Sequence, residues 1–584
     1  MRSPFRPKIE LSGFWRFKLD PRGEGEREGW HRGFESSDVV YVPSSWNEQN
    51  PLWDGYDGVA WYSTSFYVRK ELEGKLVWLV FKGAGYHAKV WLNGELLGEH
   101  EGSFTQFRLD ATRAVRFGDF NLLVVRIDNR VALDRLPPGL SFNRTAFDFL
   151  QYGGIHRPVY LEFTERSYVD SLVVETDHKG ALKAEARVAN GGGLRVKFRL
   201  LDGRRAELLS EEVGCDGGVA RVDRRVSGVK PWSPEEPNLY TLRVELLGER
   251  GLLDMVEERV GFRSFKVVKG RIYLNGKPIY LKGFGRHEDF PVTGKHIPGA
   301  ALVRDFYLMK KLGANSFRTS HYPYSDEHLD LADEMGFLVI LESTVCLSGF
   351  TGLFSDQAKA REWFKDPRIL EKAKAVLREM IEQHRNRPSV VMYSVANEPP
   401  TDWEEAAEFV KQLAEYVRSL DPTRPVTFAS HRHSRDRALG FVDVISLNVY
   451  FGWYSEWGSI EEGVRRMLEE LKRVHEMHPD KPVLLAEFGA DAVAGVHWDP
   501  PVMWSEEYQA ELLKSYIEGV RGLEWVVGVH VWNFADFRTP QSPGRTVLNR
   551  KGVFTRDRQP KLAAHLIKDV FSRLPSWAQS LGRG

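Results

Sequence analysis

From about residue 266 onward the chain repeats one pattern eight times: a short apolar run, then a stretch of helical period. This alternation narrows the possible folds most. Eight β-then-α units over about 300 residues are the count of a closed (β/α)8 TIM barrel. The runs are Ile279–Gly283, Ala314–Arg318, Phe337–Leu341, Val390–Ser394, Pro425–Phe428, Val444–Asn448, Val483–Glu487 and Val527–Trp532. Short apolar runs bounded by turn signals read as strands buried on both faces. Ile369–His384 and Trp403–Leu420 are two of the helical periods, and Ala563–Leu574 reads as an amphipathic last helix.

A chain of 584 residues exceeds one core, so further domains are expected upstream. Residues 1–165 read as all-β, with runs such as Trp61–Val68, Leu76–Phe81 and Ala88–Leu92 and a hairpin signal at Asn93-Gly94. Many short strands without helical periods imply a β-sandwich, of jelly-roll type. Residues 166–265 continue all-β in a smaller unit of about seven strands, as in an immunoglobulin-like sandwich. Residues 266–584 form the barrel domain. Within the second unit, the proline-rich Lys230–Pro237 cannot sit in a central strand and reads as a rigid turn.

Lys and Arg total 81 and Asp and Glu total 81, so no net field draws nucleic acid or an anionic membrane. No run of about 18 apolar residues is present to span a membrane. Two distant cysteines, Cys215 and Cys346, exclude a disulfide framework and favour a reducing compartment. The opening MRSPFRPKIELSG lacks the apolar core of a secretion signal, so a cytoplasmic location is expected. His431 and His433, two positions apart, make only part of a metal site and read as rim or surface residues. No glycine-rich phosphate loop stands between a strand and a helix, so neither nucleotide nor other cofactor is expected.

Two of the strand runs end in glutamates, Glu398 after the fourth and Glu487 after the seventh. Carboxylates at the C-terminal ends of barrel strands face the rim where such barrels keep their chemistry. Two of them can flank one glycosidic bond, one as acid/base and one as nucleophile. The spacing does not say which takes which role. Asn397 precedes Glu398, and its amide can hold a substrate hydroxyl.

Several long stretches carry a resemblance. They are Phe147–Pro158 (FDFLQYGGIHRP), Leu281–Phe290 (LKGFGRHEDF), Gly313–Tyr324 (GANSFRTSHYPY), Ser389–Pro399 (SVVMYSVANEP), Val531–Phe537 (VWNFADF) and Leu548–Pro560 (LNRKGVFTRDRQP). With them the chain resembles glycoside hydrolase family 2 over nearly its whole length, and within that family the β-glucuronidases. The resemblance implies retaining hydrolysis, with Glu398 as acid/base, Glu487 as nucleophile and Tyr450 against the nucleophile. It implies that Asn549 and Lys551, in Asn549-Arg550-Lys551, hold the substrate's C6 carboxylate with Arg545 nearby. A neutral sugar would leave the lysine uncompensated and be disfavoured. Asp148 would reach across from the first domain to a sugar hydroxyl, and Asn448 and Tyr454 would touch the sugar. His287, His321 and Trp532 are further rim candidates. A dimer or tetramer is implied by analogy alone, and no metal is required.

The chain departs from the family pattern in places. Val449 stands where arginine is common, and Leu341 where aspartate is common. Gly349–Lys365 reads as a short loop, which suggests an open site, and Arg550 adds positive charge. The expected substrate is a β-glucuronide. A β-galacturonide, differing at C4, is the near alternative, a β-galactoside a more distant one, and a non-catalytic carbohydrate-binding protein the reading from another class.

Overall fold

The computed structural model describes residues 1–574. Eight parallel strands close into a barrel. They are β1 (Leu281–Arg286), β2 (Ser316–Thr319), β3 (Leu338–Glu342), β4 (Val390–Asn397), β5 (Val426–Ser430), β6 (Ile445–Asn448), β7 (Val483–Glu487) and β8 (Val526–Val531). The ring closes where β1 pairs with β8, Leu281 opposite Gly528. All eight residues of β4 are buried, as a strand covered on both faces requires. Outer helices turn one apolar stripe inward. Pro367–His384 buries Ile369, Ala373, Leu377 and Ile381, and the Asp366 side chain caps it by accepting from the Arg368 N–H at 2.9 Å.

Strand ends differ from the sequence reading by a few residues, and β1 shows why. Lys277–Pro278 is spent pairing with Arg271–Leu274 in a small sheet that also contains Phe265–Val268. This sheet plugs the lower end of the barrel: Phe265, Ile272 and Leu274 pack with Trp232, Ile340, Met392 and Leu484. The span Gly349–Lys365, expected as a loop, is corrected by a nine-residue helix, Gln357–Lys365, capped by Asp356 and burying Ala360, Trp363 and Phe364.

Upstream, a four-stranded and a six-stranded antiparallel sheet face each other as a sandwich. Asn93 and Gly94 take φ of 54° and 86° between His87–Leu92 and Glu95–Glu101, the turn the Asn-Gly pair signals. A second sandwich pairs a three-stranded with a four-stranded sheet. One of its seven strands, Glu207–Gly214 (ELLSEEVG), escapes the sequence reading because it is an edge strand with no buried residue.

The barrel core does not stop at the barrel. Phe104, Ala146, Phe147 and Phe149 of the first sandwich belong to the same buried cluster as the barrel and its helices. That continuity carries residues 147–150 over the catalytic end, where the Leu150 N–H donates to the Arg538 carbonyl at 2.9 Å. Among the described residues no helix is long and apolar enough to cross a membrane.

Candidate active site

Glu487 is the last residue of β7 and is 4% exposed. One carboxylate oxygen accepts from the Tyr450 hydroxyl at 2.7 Å. The other closes an ion pair with Nη2 of Arg318, from β2, and lies 3.9 Å from His321 Nε2. Arg318 also donates through Nη1 to Glu342 of β3 at 2.6 Å. Glu342 in turn meets His321 Nδ1 at 2.7 Å and accepts from Ser394 Oγ at 2.7 Å. One buried guanidinium thus bridges two strand-end carboxylates and fixes the geometry of the second.

Glu398 follows β4 directly, with φ of +53°. Its N–H donates to the Ala429 carbonyl of β5 at 2.8 Å. A non-glycine residue in this region costs about 1–3 kcal/mol, which the β4–β5 pairing must offset to aim the side chain inward. Its carboxylate accepts from Asn448 Nδ2 at 2.7 Å, and the same amide reaches Asn397 Oδ1 at 3.2 Å. His431 Nδ1 lies 3.6 Å away, and burial beside Arg432 lowers that histidine to about 3, so it stands neutral.

Both carboxyl groups titrate above their ordinary range, burial being the main cause in each. Their surroundings nevertheless differ. Glu487 meets Arg318 directly, together with the Tyr450 hydroxyl, and is raised further by the charge of Glu398. Glu398 has the neutral Asn448 amide, and the cations act on it from farther away. Arg318 therefore favours the charged form of Glu487 more directly than that of Glu398.

A second cluster lies across the same cavity. Arg545 donates to Asp148 from Nη2 at 2.6 Å and Nε at 3.0 Å, and to the Tyr454 hydroxyl at 2.7 Å. Asn549 Nδ2 donates to Asp148 at 3.0 Å. Lys551 donates to the Tyr454 hydroxyl at 2.9 Å and pairs closely with Asp491. The two cations and the amide together make this a corner suited to an anion. Asp491 titrates below its usual range: burial raises it, but Lys551 and Arg545 outweigh burial.

Asp148, His321, Asn397, Glu398, Asn448, Tyr450, Tyr454, Glu487, Trp532, Arg545 and Asn549 all line one cavity of about 670 Å³. Gly285 makes room for Trp532, since a Cβ there would lie 2.4 Å from the indole. Two residues named from sequence stand back from the wall. His287 packs behind it, its ring 4.1 Å from Phe537 and 5.4 Å from His321. Lys551 is fully buried against Asp491. The expectation that a neutral sugar would leave this lysine uncompensated is therefore corrected: Asp491 compensates it already.

His431 and His433 line the cavity as rim residues. Among the described residues no group of three or more His, Cys, Asp or Glu side chains is arranged to hold a metal. Sequence reasoning assigned no role to Arg318, Glu342 or Asp491, although all three lie in or beside strand-end stretches it singled out. Charged residues at the ends of otherwise apolar strands were the available signal.

Family models match the chain almost end to end. "Glycosyl hydrolases family 2, sugar binding domain" covers residues 9–164, "Glycosyl hydrolases family 2" residues 167–263, and "Glycosyl hydrolases family 2, TIM barrel domain" residues 265–575. A β-glucuronidase of Paenibacillus borealis is 37% identical over 599 residues, covering 98% of each chain. The human β-glucuronidase is 34% identical, covering 98% of this chain and 92% of its own. A solved β-glucuronidase of Ruminococcus gnavus in complex with D-glucuronic acid superposes with a TM-score of 0.90 at 33% identity, covering 98% of each chain.

Proposed function

The chain belongs to glycoside hydrolase family 2, and from that premise we infer that it is a β-glucuronidase, hydrolysing β-D-glucuronides to D-glucuronate and an alcohol. The observation that carries the reading is one cavity joining the Glu398/Glu487 pair to a cationic corner of Arg545, Asn549 and Tyr454 backed by Lys551.

We propose double displacement with retention. Glu487, held ionised by Arg318, attacks the anomeric carbon while Glu398 gives its proton to the leaving oxygen. The glycosyl–Glu487 ester forms and the alcohol departs. Glu398, now ionised, takes a proton from water, whose oxygen attacks the same carbon and frees Glu487. Tyr450 holds the nucleophile's second oxygen. Asn397, Asn448, His321 and Trp532 shape the ring site. Asn549, Arg545 and the Tyr454 hydroxyl meet the C6 carboxylate, with Asp148 and Lys551 fixing them. The chemistry needs only the two carboxyl groups and water. We extend the reading to a homo-oligomer in the cytoplasm, on the family resemblance and on Cys215 and Cys346, both buried free thiols.

The test compares rates on nitrophenyl β-D-glucuronide, β-D-galacturonide and β-D-galactoside, with the anomer of the first-formed glucuronate read by NMR. A strong preference for the glucuronide and a β-anomer first product are expected. Comparable rates on both uronides would keep the carboxylate corner and move specificity to C4. Activity on the galactoside alone would overturn the reading.

A further inference from the structure

We propose that the chain carries a second anion site, at the lower end of the barrel where the second sandwich meets it, built for a small multiply charged oxyanion such as a phosphate or sulfate group. A cavity of about 910 Å³ opens there, walled by the strand ends Val174–Thr176 and Val260–Arg263 and by the turns that enter β4, β5 and β7. In a chain of zero net charge its lining is strongly biased. Lys179, Arg263, Lys266, Arg385 and Lys481 all face it, and among the described residues none has a carboxylate within 4 Å.

Arg263 carries the argument furthest. It is 8% exposed and spends Nε on the Pro388 carbonyl (2.8 Å) and Nη2 on the Val390 carbonyl (2.6 Å). Those bonds seat it on the entry to β4 but give it no counter-charge, and Nη1 remains for the cavity it lines. Burial, and Arg424 nearby, make its charged form costly. Lys481 is in a like position: its ammonium donates to the Val442 carbonyl, and burial lowers its titration. The other cations of the lining are already matched. Arg424 pairs with Asp421 at 2.8 Å, Arg418 with Asp443 at 3.0 Å, and Arg387 with Asp330 and Asp333. Of the lining acids, Asp177 is turned to its own backbone, accepting from the Lys179 and Ala181 N–H groups. Glu175, Asp177 and Asp480, all still charged, are left against five cations that have no salt bridge among the described residues, an excess of two. An oxyanion with two charges matches that excess, and a guanidinium offers it the donors a spherical anion cannot use.

The site lies at the opposite barrel end from Glu398, so occupancy should tie the second sandwich to the barrel rather than alter turnover. The experiment measures melting temperature and isothermal titration heats with inorganic phosphate, with sulfate, and with chloride at matched ionic strength. It uses the intact protein and the double variant Arg385→Ala/Lys481→Ala, whose positions are half-buried and outside the catalytic cavity. Saturable binding and a rise in melting temperature are expected with phosphate or sulfate but not chloride. Binding should weaken at least tenfold in the double variant, with glucuronide hydrolysis unchanged in both proteins. Phosphate alone would mark a phosphate site, and both anions a general oxyanion site. An equal effect of chloride, or no loss in the double variant, would overturn the proposal. Arg263→Lys, which keeps the charge and loses the fork, should weaken binding without abolishing the fold.

Discussion

At the scale of single residues, the site is a set of ion pairs waiting for a competitor. Arg318 sits with Glu487, Arg545 with Asp148 and Lys551 with Asp491. Glu487→Ala should lower kcat by on the order of 10⁴-fold or more while leaving binding of glucuronate measurable by calorimetry. Substantial residual turnover would remove Glu487 as nucleophile. Arg318→Met tests the electrostatic assignment. Arg318 lowers Glu487, so its loss should raise that pKa and move the acid limb of the kcat/KM profile to higher pH. An unmoved limb would mean that another group sets it. Lys551→Ala should cost on the order of 10²-fold or more on a glucuronide and far less on a galactoside. Because the change also strands Asp491 in a buried place, at about 3–5 kcal/mol, the melting temperature belongs beside the rates. The partner variant Asp491→Asn should recover part of the stability.

At the scale of elements, what could be read from the sequence depended on whether apolar period and burial coincide. Val483–Glu487 matches its strand end for end, because every residue of it is buried and apolar until the final glutamate. Glu207–Gly214 is hard to read for the opposite reason, since on this edge strand only Leu209 and Val213 turn an apolar side chain to the core, and Glu211 between them breaks the pattern. Glu398 and Glu487 were legible because each interrupts a buried run. Arg318 and Asp491 share that signature, but their partners come from other strands, and no local pattern names a partner. The plug beneath the barrel is hard to read because Phe265–Val268 and Arg271–Leu274 are four-residue strands buried on one face only, with neither the continuous apolar run of the equally short barrel strands nor the length for an alternation to stand out. Its anchor, Trp232, is fully buried and donates to the Asp333 carbonyl at 2.9 Å. Trp232→Ala should cost about 3–5 kcal/mol in chemical denaturation, with catalysis at low temperature little changed. A cost near zero would show that the plug is not seated by this ring.

At the scale of the whole molecule, sandwich and barrel are joined by ion pairs, one buried and one half-buried, as well as by apolar packing. Arg157 of the first sandwich pairs with Glu288 at 2.9 Å, and Lys82 with Asp326 at 2.8 Å. Burial would raise both carboxyl groups, but their cations outweigh it and hold them below their ordinary values. Stability from these groups is present above the unfolded value of about 4 and lost as pH falls through the folded one. Buried His156, His384 and His530 are lowered to about 3, burial being the main cause. The unfolded chain therefore binds more protons below about pH 6.5, and these residues act in the same direction. The melting temperature should fall steadily from pH 7 to pH 3, and a flat profile would contradict the pairing. One feature of that joint reaches beyond stability. Asp148 travels with the sandwich, while Glu398 and Glu487 travel with the barrel. A barrel excised on its own would keep Glu398, Glu487, Arg545 and Asn549 but lose the carboxylate on which Arg545 and Asn549 are seated. Evolution could therefore retune which sugar is accepted by reshaping a loop in another domain, with the catalytic strands left untouched.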